Sequence, residues 1–449
     1  MGDLALNIAA TGIAVQQVGM DTVAQNLANA NTPGYVRESP DIVTNPGGDA
    51  AGIGDGARVA TITQAGNALL FTNVQQTQAA LSQSTALQQV LSGVQAAFPE
   101  PSQSGLAAQL AGFWQAWDAI AQNPSALAPR TEVVDLAQNL ATSFNQAATA
   151  LTNLQDNAAT QLSQTVSQAN TLLSEIAQLN VQVTATEGAG APAGALIDQR
   201  NTLVQQLAQA TGAVARPMPD GTVTVAVGGI TLVQGSFADT LQVTGNAGAT
   251  EVRATTSGVA LPASGGTVAG LLAAVNQYLP AYQAQLDTAA NALASTVNGQ
   301  LALGYTAAGT SGASLPLFIG TGAAGLAVNP QLVADPQQIA ASATATLPDA
   351  TNDGANAQAM AELSNSVTGP DQAYRSLIQG MGAQLQAVNN QVQAQTSVAN
   401  AAQQNLQAAA GVSPDQEMVA MLAYQQAYEA SAKVVSAAQA AVQALLAAT

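Results

Sequence analysis

Seven-residue spacing at both extremities constrains the fold of this chain more than any other feature. Leu6, Ile13, Met20 and Leu27 recur every seven residues, with Ala9, Gln16, Val23 and Ala30 three places after each. Near the other end Met421, Tyr428, Val435 and Val442 form a second series, interleaved with Tyr424, Ser431, Ala438 and Leu445. This is the a/d spacing of helices that bury a stripe against another helix. Asn29, Asn31, Pro33 and Gly34 stop the first helix, because the residue before a proline leaves the αR region and glycine and asparagine tolerate αL. The last helix starts after Gly411-Val412-Ser413-Pro414, with Ser413 as N-cap and Pro414 at the first helical position.

Between these ends the pattern is mainly helical. Residues 38–63 read as a connector with short β-prone pieces such as Ile42-Val43-Thr44, and a helix runs from about Gln64 to Phe98 before Pro99 and Pro101. A helix over 104–121 places Phe113, Trp117 and Ile120 at core spacing. A segment from Thr131 to Val183 keeps Phe144, Leu151, Leu172 and Leu179 in register, a helix roughly 80 Å long at ~1.5 Å per residue. Gly188 to Gly194 interrupts, and Ala195–Thr211 is helical again. The period then changes. Thr222–Val227 and Ile230–Val233 flank Gly228-Gly229, a two-residue hairpin link, with Leu241–Val243 and Val252–Thr256 beyond. Residues 268–298 are helical, 300–350 are rich in Gly, Ala, Pro and Ser, and from 355 the chain is helical to its end, broken at 411–414.

The fold class expected is therefore mainly α: long helices, coiled-coil-forming ends and a small inserted β-rich subdomain. The expected divisions are 1–37 with 366–449 as a terminal coiled-coil region, 38–212 with 268–300 as an elongated helical domain, 213–267 as the β-rich subdomain, and 301–365 as a Gly/Ala-rich loop or small outer segment.

Composition narrows the function. The chain has 449 residues, with eight basic side chains against 26 acidic ones, a net charge of −18. The arginines at 37, 58, 130, 200, 216, 253 and 375 and the single Lys433 form no cluster, which excludes a phosphate-tracking surface and nucleic-acid binding. Without histidine there is no imidazole base or metal ligand; without cysteine there is no thiol nucleophile, thiolate zinc site or disulfide. Met1-Gly2-Asp3-Leu4 begins no basic, apolar secretory signal, and no run reaches the ~18 apolar residues that would cross a bilayer.

Candidate chemical motifs fail on context. Gly320-Thr321-Gly322-Ala323-Ala324-Gly325 spells a dinucleotide fingerprint, but Pro330 falls where its helix should continue. Asp349, Asp353 and Gly354 suggest a calcium loop, yet Met360 occupies the position of the closing glutamate. Lys433, followed by Val434, makes no phosphate loop. Asp198 and Arg200 read as a local ion pair. The expectation is a protein with no catalytic residues, no cofactor and no metal.

A resemblance agrees. Gly12-Ile13, Gln25-Asn26-Leu27-Ala28-Asn29 and Thr32-Pro33-Gly34-Tyr35 followed by Arg37 resemble the N-terminal signature of the axial proteins of the bacterial flagellum (rod, hook and hook-associated proteins). Gln25 and Leu27 are mild departures from it. Three further blocks resemble the hook-associated branch: Gly105-Leu106 through Trp117 to Asn123-Pro124 with Arg130, Ala195 to Asn201, and Gly411 to Met418 leading into Tyr424–Tyr428. The resemblance implies a structural subunit of the hook–filament junction, located in the flagellum outside the cell and exported unfolded by the flagellar type III apparatus without a cleaved signal peptide. It implies self-association in a helical assembly, contact with the hook protein and with adjacent hook-associated or filament proteins, and an export chaperone on the C-terminal helix. It also makes Asn26, Asn29, Thr32, Pro33, Gly34 and Tyr35 a packing turn between subunits, beside the seam residues Leu6, Ile13, Met20, Leu27, Met421, Tyr424, Tyr428, Val435, Val442 and Leu445. A lone amphipathic helix is marginal in water, so both ends are expected to stay partly disordered until neighbouring subunits arrive. Two other readings stand beside this one: a rod or hook subunit, and a carboxylate-based peptidoglycan hydrolase.

Overall fold

The computed structural model describes residues 2–46, 54–246 and 248–447. Helix α1 (Gly2–Ala28) leads through the signature turn into an antiparallel hairpin, β1 (Glu38–Thr44) with β2 (Ala57–Gln64). The connector expected at 38–63 is thus a paired ribbon, packed on one side of α1. Asn67 sets the start of α2 (Ala68–Ala97): its side-chain oxygen accepts from the amides of Leu69 and Leu70, satisfying two donors that lack helical partners.

Helix α3 (Leu106–Gln122) buries Leu110, Phe113, Trp114, Trp117 and Ile120. Phe113 meets the Trp117 ring edge-on at 6.1 Å and Phe318 at 5.9 Å, so these aromatics fill core. Helix α4 (Leu127–Gly188) has 62 residues and is about 93 Å long. Its buried stripe passes through Phe144, Leu151 and Ala158, but further on Leu173 is fully buried where Leu172 was expected. An unsupercoiled helix drifts ~20° per heptad against a seven-residue repeat. Four heptads after Phe144 the stripe has moved by most of one residue.

Helix α5 (Gly194–Thr211) ends on Gly212 at φ +74°, the left-handed conformation that stops a helix and that glycine adopts without steric cost. Strands β3 (Val214–Pro217), β4 (Val223–Val227), β5 (Ile230–Gln234) and β6 (Phe237–Ala238) follow as one antiparallel sheet in sequence order. The link Gly228-Gly229 has both φ angles positive, as a tight hairpin with strand-matched twist needs. Val223, Val225 and Val227 alternate into the core. Strands β7 (Leu241–Thr244) and β8 (Glu251–Ala254) make a separate hairpin, after which α6 (Gly266–Ala273) runs through a π-helical turn at Ala274–Tyr278 into α7 (Leu279–Ala302).

Residues 303–365 form an ordered cap of short pieces: β9 (Phe318–Ile319), α8 (Gly322–Gly325), β10 (Ala327–Val328), α9 (Pro330–Ala334), α10 (Asp349–Asn352) and α11 (Ala355–Glu362). The cap lies on α3, α4 and α7. The glycine series 320–325 turns between antiparallel β9 and β10, with no βαβ unit around it. Asp353 caps the turn, accepting from Ser342 Oγ and the amides of Ala343 and Ala355. The helix expected without interruption from 355 breaks once more at 366–369. There the Gly369 amide donates to the Ser366 carbonyl, and Pro370 opens α12 (Pro370–Ala410). The first half of α12 buries Tyr374, Leu377, Met381, Leu385 and Val388 in the helical body; beyond Val392 its buried residues are alanines, Ala399, Ala402 and Ala410. Helix α13 (Pro414–Ala447) completes the chain.

One device attaches the β pieces to the helices. An asparagine on a helix receives the N–H and donates to the C=O of one strand or loop residue, imitating a strand neighbour. Asn170 holds Leu241 in this way at 2.7 and 2.9 Å, and Asn180 holds Val223 at 3.0 and 2.9 Å. Asn276, which lies within the π turn, holds Thr250 at 2.8 and 2.7 Å. Asn298 holds Phe318 at 3.0 and 2.7 Å, and Asn26 holds Glu38 at 2.9 and 2.8 Å. Buried strand groups that no neighbouring strand reaches are thereby paired.

Candidate assembly surface

The two terminal helices pair with each other. Asn26 lies beside Glu417, Gly19 beside Tyr424 and Gly12 beside Ser431, steps of seven in opposite directions that define an antiparallel seam. A Cβ at Gly19 would come within 2.5 Å of the Tyr424 ring, and one at Gly12 within 3.1 Å of Ser431 Oγ. Glycine here is a matter of close approach. The ends therefore have a helical partner inside their own chain, which differs from the expectation that they wait for other subunits.

The intrachain seam follows the second stripe read on α13 but neither of the stripes read on α1. On α13 it takes Tyr424 and Ser431. On α1 it runs one residue ahead of Leu6, Ile13, Met20 and Leu27, because the glycine notches admit the tyrosine ring and draw the axes together there. Leu6, Ile13 and Met20 are left half-buried and Leu27 is exposed. On α13 Met421 and Val435 are half-buried, while Tyr428 and Val442 are exposed together with Met418, Val419, Leu422 and Val434. The side chain of Leu445 lies outside the described residues. The paired helices thus leave a row of apolar side chains uncovered along α13.

Where this pair meets the body, the signature turn becomes a polar joint. Asn26 is 1% exposed and uses its whole hydrogen-bonding capacity. Its Oδ1 accepts from the Tyr35 hydroxyl at 2.9 Å and the Glu38 amide; its Nδ2 donates to the Glu38 carbonyl and to Glu417 Oε2 at 3.0 Å. Arg37 Nε donates to Glu417 Oε1 at 2.6 Å, and the Arg37 amide donates to the Ala410 carbonyl at the end of α12. Glu417 is wholly buried. Asp198 on α5 completes the joint, accepting from the Val36 amide at 3.2 Å and from Gln64 Nε2 at 2.9 Å.

Three carboxylates and one guanidinium converge here, and the titrations reflect it. Burial pushes the Tyr35 hydroxyl up to about 12, helped by the negative charges of Glu38, Asp198 and Glu417. Burial raises Asp198 to about 6, against the pull of its hydrogen bonds from Val36 and Gln64, and Glu38 adds to the rise. Burial also raises Glu38. The local ion pair expected between Asp198 and Arg200 does not form. Residues two apart on a helix point in different directions, and Arg200 donates instead to Asn180 Oδ1 and the Gly221 carbonyl.

The rest of the signature faces outward. Asn29 and Thr32 bond within the turn, Thr32 Oγ1 donating to Asn29 Oδ1 at 3.1 Å. Thr32, Pro33 and Gly34 are exposed, with Gly34 at φ +82°. They form one wall of a cleft of about 730 Å³ whose other walls are the start of α2, α5, the edge of the β-sheet and the end of α12. Arg37, Glu38, Gln64, Asp198 and Glu417 were not singled out from sequence as joint residues. Arg37 carried a signal as the basic residue closing the motif, but its partner lies 380 positions away. Among the described residues no group of acidic side chains is placed to hold a metal ion, and no helix is long and apolar enough to cross a membrane.

Comparison with known proteins adds to this geometry. Residues 91–318 match the family model of the flagellar hook-associated protein FlgK helical domain. Residues 6–35 match a flagella basal body rod protein model, and 403–448 match the C-terminal model of the flagellar basal body rod FlgEFG proteins. The chain is 25% identical to flagellar hook-associated protein 1 of Bacillus subtilis over 96% of both chains. It is 27% identical to the protein of that name from Salmonella typhimurium, over 68% of this chain and 58% of that one. The solved flagellar hook junction protein FlgK from Burkholderia pseudomallei shares the fold, with a TM-score of 0.63 at 18% identity, covering 77% of this chain and all of that one.

Proposed function

From membership in the flagellar hook-associated protein FlgK family, to which this chain belongs, we propose that it is a structural subunit of the hook–filament junction that polymerises through its paired terminal helices. The observation that carries this reading is the antiparallel α1–α13 pair, closed on itself along one stripe and apolar along the next. The rod-family matches at the two ends support a shared axial mode of assembly, and the helical-domain match over 91–318 favours the hook-associated branch over a rod or hook subunit. Within this reading the chain is exported unfolded by the flagellar type III apparatus and lies outside the cell. Its partners are copies of itself, the hook protein and adjacent hook-associated or filament proteins, and an export chaperone holds the C-terminal helix beforehand. The signature turn is a hinge between the terminal pair and the body, and Thr32, Pro33 and Gly34 are its face toward other subunits. It works without catalysis, cofactor or metal.

Immunogold labelling of isolated flagella is the deciding experiment. Label confined to the hook–filament boundary is expected; label along the hook or rod overturns the assignment. A Leu422→Asp chain, charged on the exposed face of α13, is expected to keep its helix content and to be absent from that boundary.

A further inference from the structure

The terminal unit is joined to the body by few bonds. Helices α1 and α13 and the β1–β2 ribbon pack chiefly on one another. Within this unit Asn26, Tyr35, Arg37, Glu38 and Glu417 satisfy each other. Among the described residues, the hydrogen bonds that cross to the body are of another set. The Val36 amide and Gln64 Nε2 donate to Asp198, Gln64 Nε2 also donates to the Gly194 carbonyl at 3.1 Å, and the Arg37 amide donates to the Ala410 carbonyl at 2.9 Å. Asp198 is thus the body side chain that grips the terminal unit. The cleft of about 730 Å³ between the turn and the body stands where packed core would otherwise back this grip.

Charge works against the grip. Both donors to Asp198 are neutral. Glu38 Oε1 lies against Gly194, four residues earlier and so on the same face of α5. Glu417 of α13 is taken up by Arg37 and Asn26, and Tyr35, pushed up to about 12, remains a neutral donor to Asn26. Arg200 points away to Asn180 and Gly221, with Glu187 at the end of α4 beside it. On β3 Arg216 is exposed, while α2, α6 and the last two turns of α12 carry no charged residue. An ionised Asp198 therefore has a carboxylate for a neighbour and no cation. Burial, reinforced by Glu38, raises Asp198 to about 6 in the closed joint, against 3.8 when it is hydrated. Closure is thus favoured in full below about pH 3.8 and weakens as pH rises through 6.

We propose that the joint is a proton-operated latch: a neutral Asp198 keeps the signature turn closed on α5, and its ionisation lets the terminal pair swing from the body as one unit. The inference rests on the reading of that turn as the hinge between pair and body, and supplies its regulation.

Amide hydrogen exchange on the full chain, dilute and monomeric, tests the latch. Protection factors are compared, so that the intrinsic pH dependence of exchange is divided out. The Arg37 amide bonds across the hinge, the Glu38 amide within the terminal unit and the Val223 amide within the body. Protection at Arg37 is expected to be about tenfold or more lower at about pH 7.5 than at about pH 4.5, with Glu38 and Val223 unchanged. Asp198→Asn, close in shape but without the charge, is expected to abolish the difference. Glu38→Gln, which leaves Asp198 in place, is expected to shrink it, and a larger loss in that variant overturns the inference. Protection at Arg37 that is constant or rises with pH overturns the latch and leaves the hinge standing. Loss at Arg37 and Glu38 together means that the turn melts, and overturns both.

Discussion

Replacing Glu417 by alanine should release the signature turn without unfolding the body. Glu417 receives Arg37 Nε at 2.6 Å and Asn26 Nδ2 at 3.0 Å while itself wholly buried. Removing one member of a buried charge pair costs ~3–5 kcal/mol, chiefly because the other charge is left unpaired. Arg37 keeps 32% of its side chain in water, so its charge is rehydrated and the loss falls to that of a charged hydrogen bond, ~1.5–3 kcal/mol. Asn26 keeps the Glu38 carbonyl for one proton of Nδ2, and its other proton, left without an acceptor, adds about 1 kcal/mol. The sum is about 3 kcal/mol, roughly a hundredfold in the opening equilibrium. Amide hydrogen exchange reads it directly, since the Glu38 amide is held by Asn26 and the Arg37 amide by Ala410. Both should exchange about 100-fold faster, while the Val223 amide, held by Asn180 in the body, stays unchanged. Glu417→Gln keeps an acceptor and loses the charge, so it should fall between the two. Unaltered exchange at Glu38, or equal acceleration at Val223, would refute the view that one carboxylate locks the two ends together.

Three further outcomes follow from the geometry. Gly19→Leu overpacks the Tyr424 notch and should destabilise the terminal pair by ~1–3 kcal/mol; Tyr424→Ala in the same chain should restore most of it, and a double-mutant cycle in urea checks the coupling. Asn180→Ala leaves the Val223 amide, the Val223 and Gly235 carbonyls and one Arg200 donor unpaired, a loss of ~3 kcal/mol or more, seen as a drop of several degrees in the Tm of the body. Asp198 titrates near 6 in the folded protein against an ordinary 3.8. Its protonated form is thus the one that folding favours: the stabilisation is complete below about pH 3.8 and is lost as pH rises through 6. Asp198→Asn should flatten the fall in unfolding free energy between pH 4 and 6, read by urea titration, by on the order of 1–2 kcal/mol, and an unchanged slope would remove Asp198 from the explanation.

What the sequence revealed was set by local chemistry. Gly228-Gly229 between two valine-rich runs needs no distant information, and that hairpin forms where expected. Gly212 and Asn67 likewise act on their own neighbours. Heptads located the terminal helices but not the stripe each one uses, because that choice belongs to the pair: Gly12 and Gly19 matter only when Ser431 and Tyr424 are opposite. The cap over 303–365 was unreadable because its strands are two residues long, held by Asn298 and Asn145 from remote helices and not by a pattern of their own. The asparagine clamps escaped for the same reason. An asparagine within a helical run reads as a mild helix breaker, and nothing nearby announces the carbonyl it will meet.

The 2.6 Å contact between Arg37 and Glu417 ties together residues 380 positions apart. The Arg37 amide on the Ala410 carbonyl already brings the foot of α13 to this spot, so once the body is folded only the three-residue link 411–413 remains to be closed. A polypeptide that stops before residue 417 can complete its body, yet Asn26 and Arg37 then lose their shared carboxylate and α1 has no mate along its glycine notches. The joint thus makes one helix wait for another: α1 is fastened only after the distant α13 has been made.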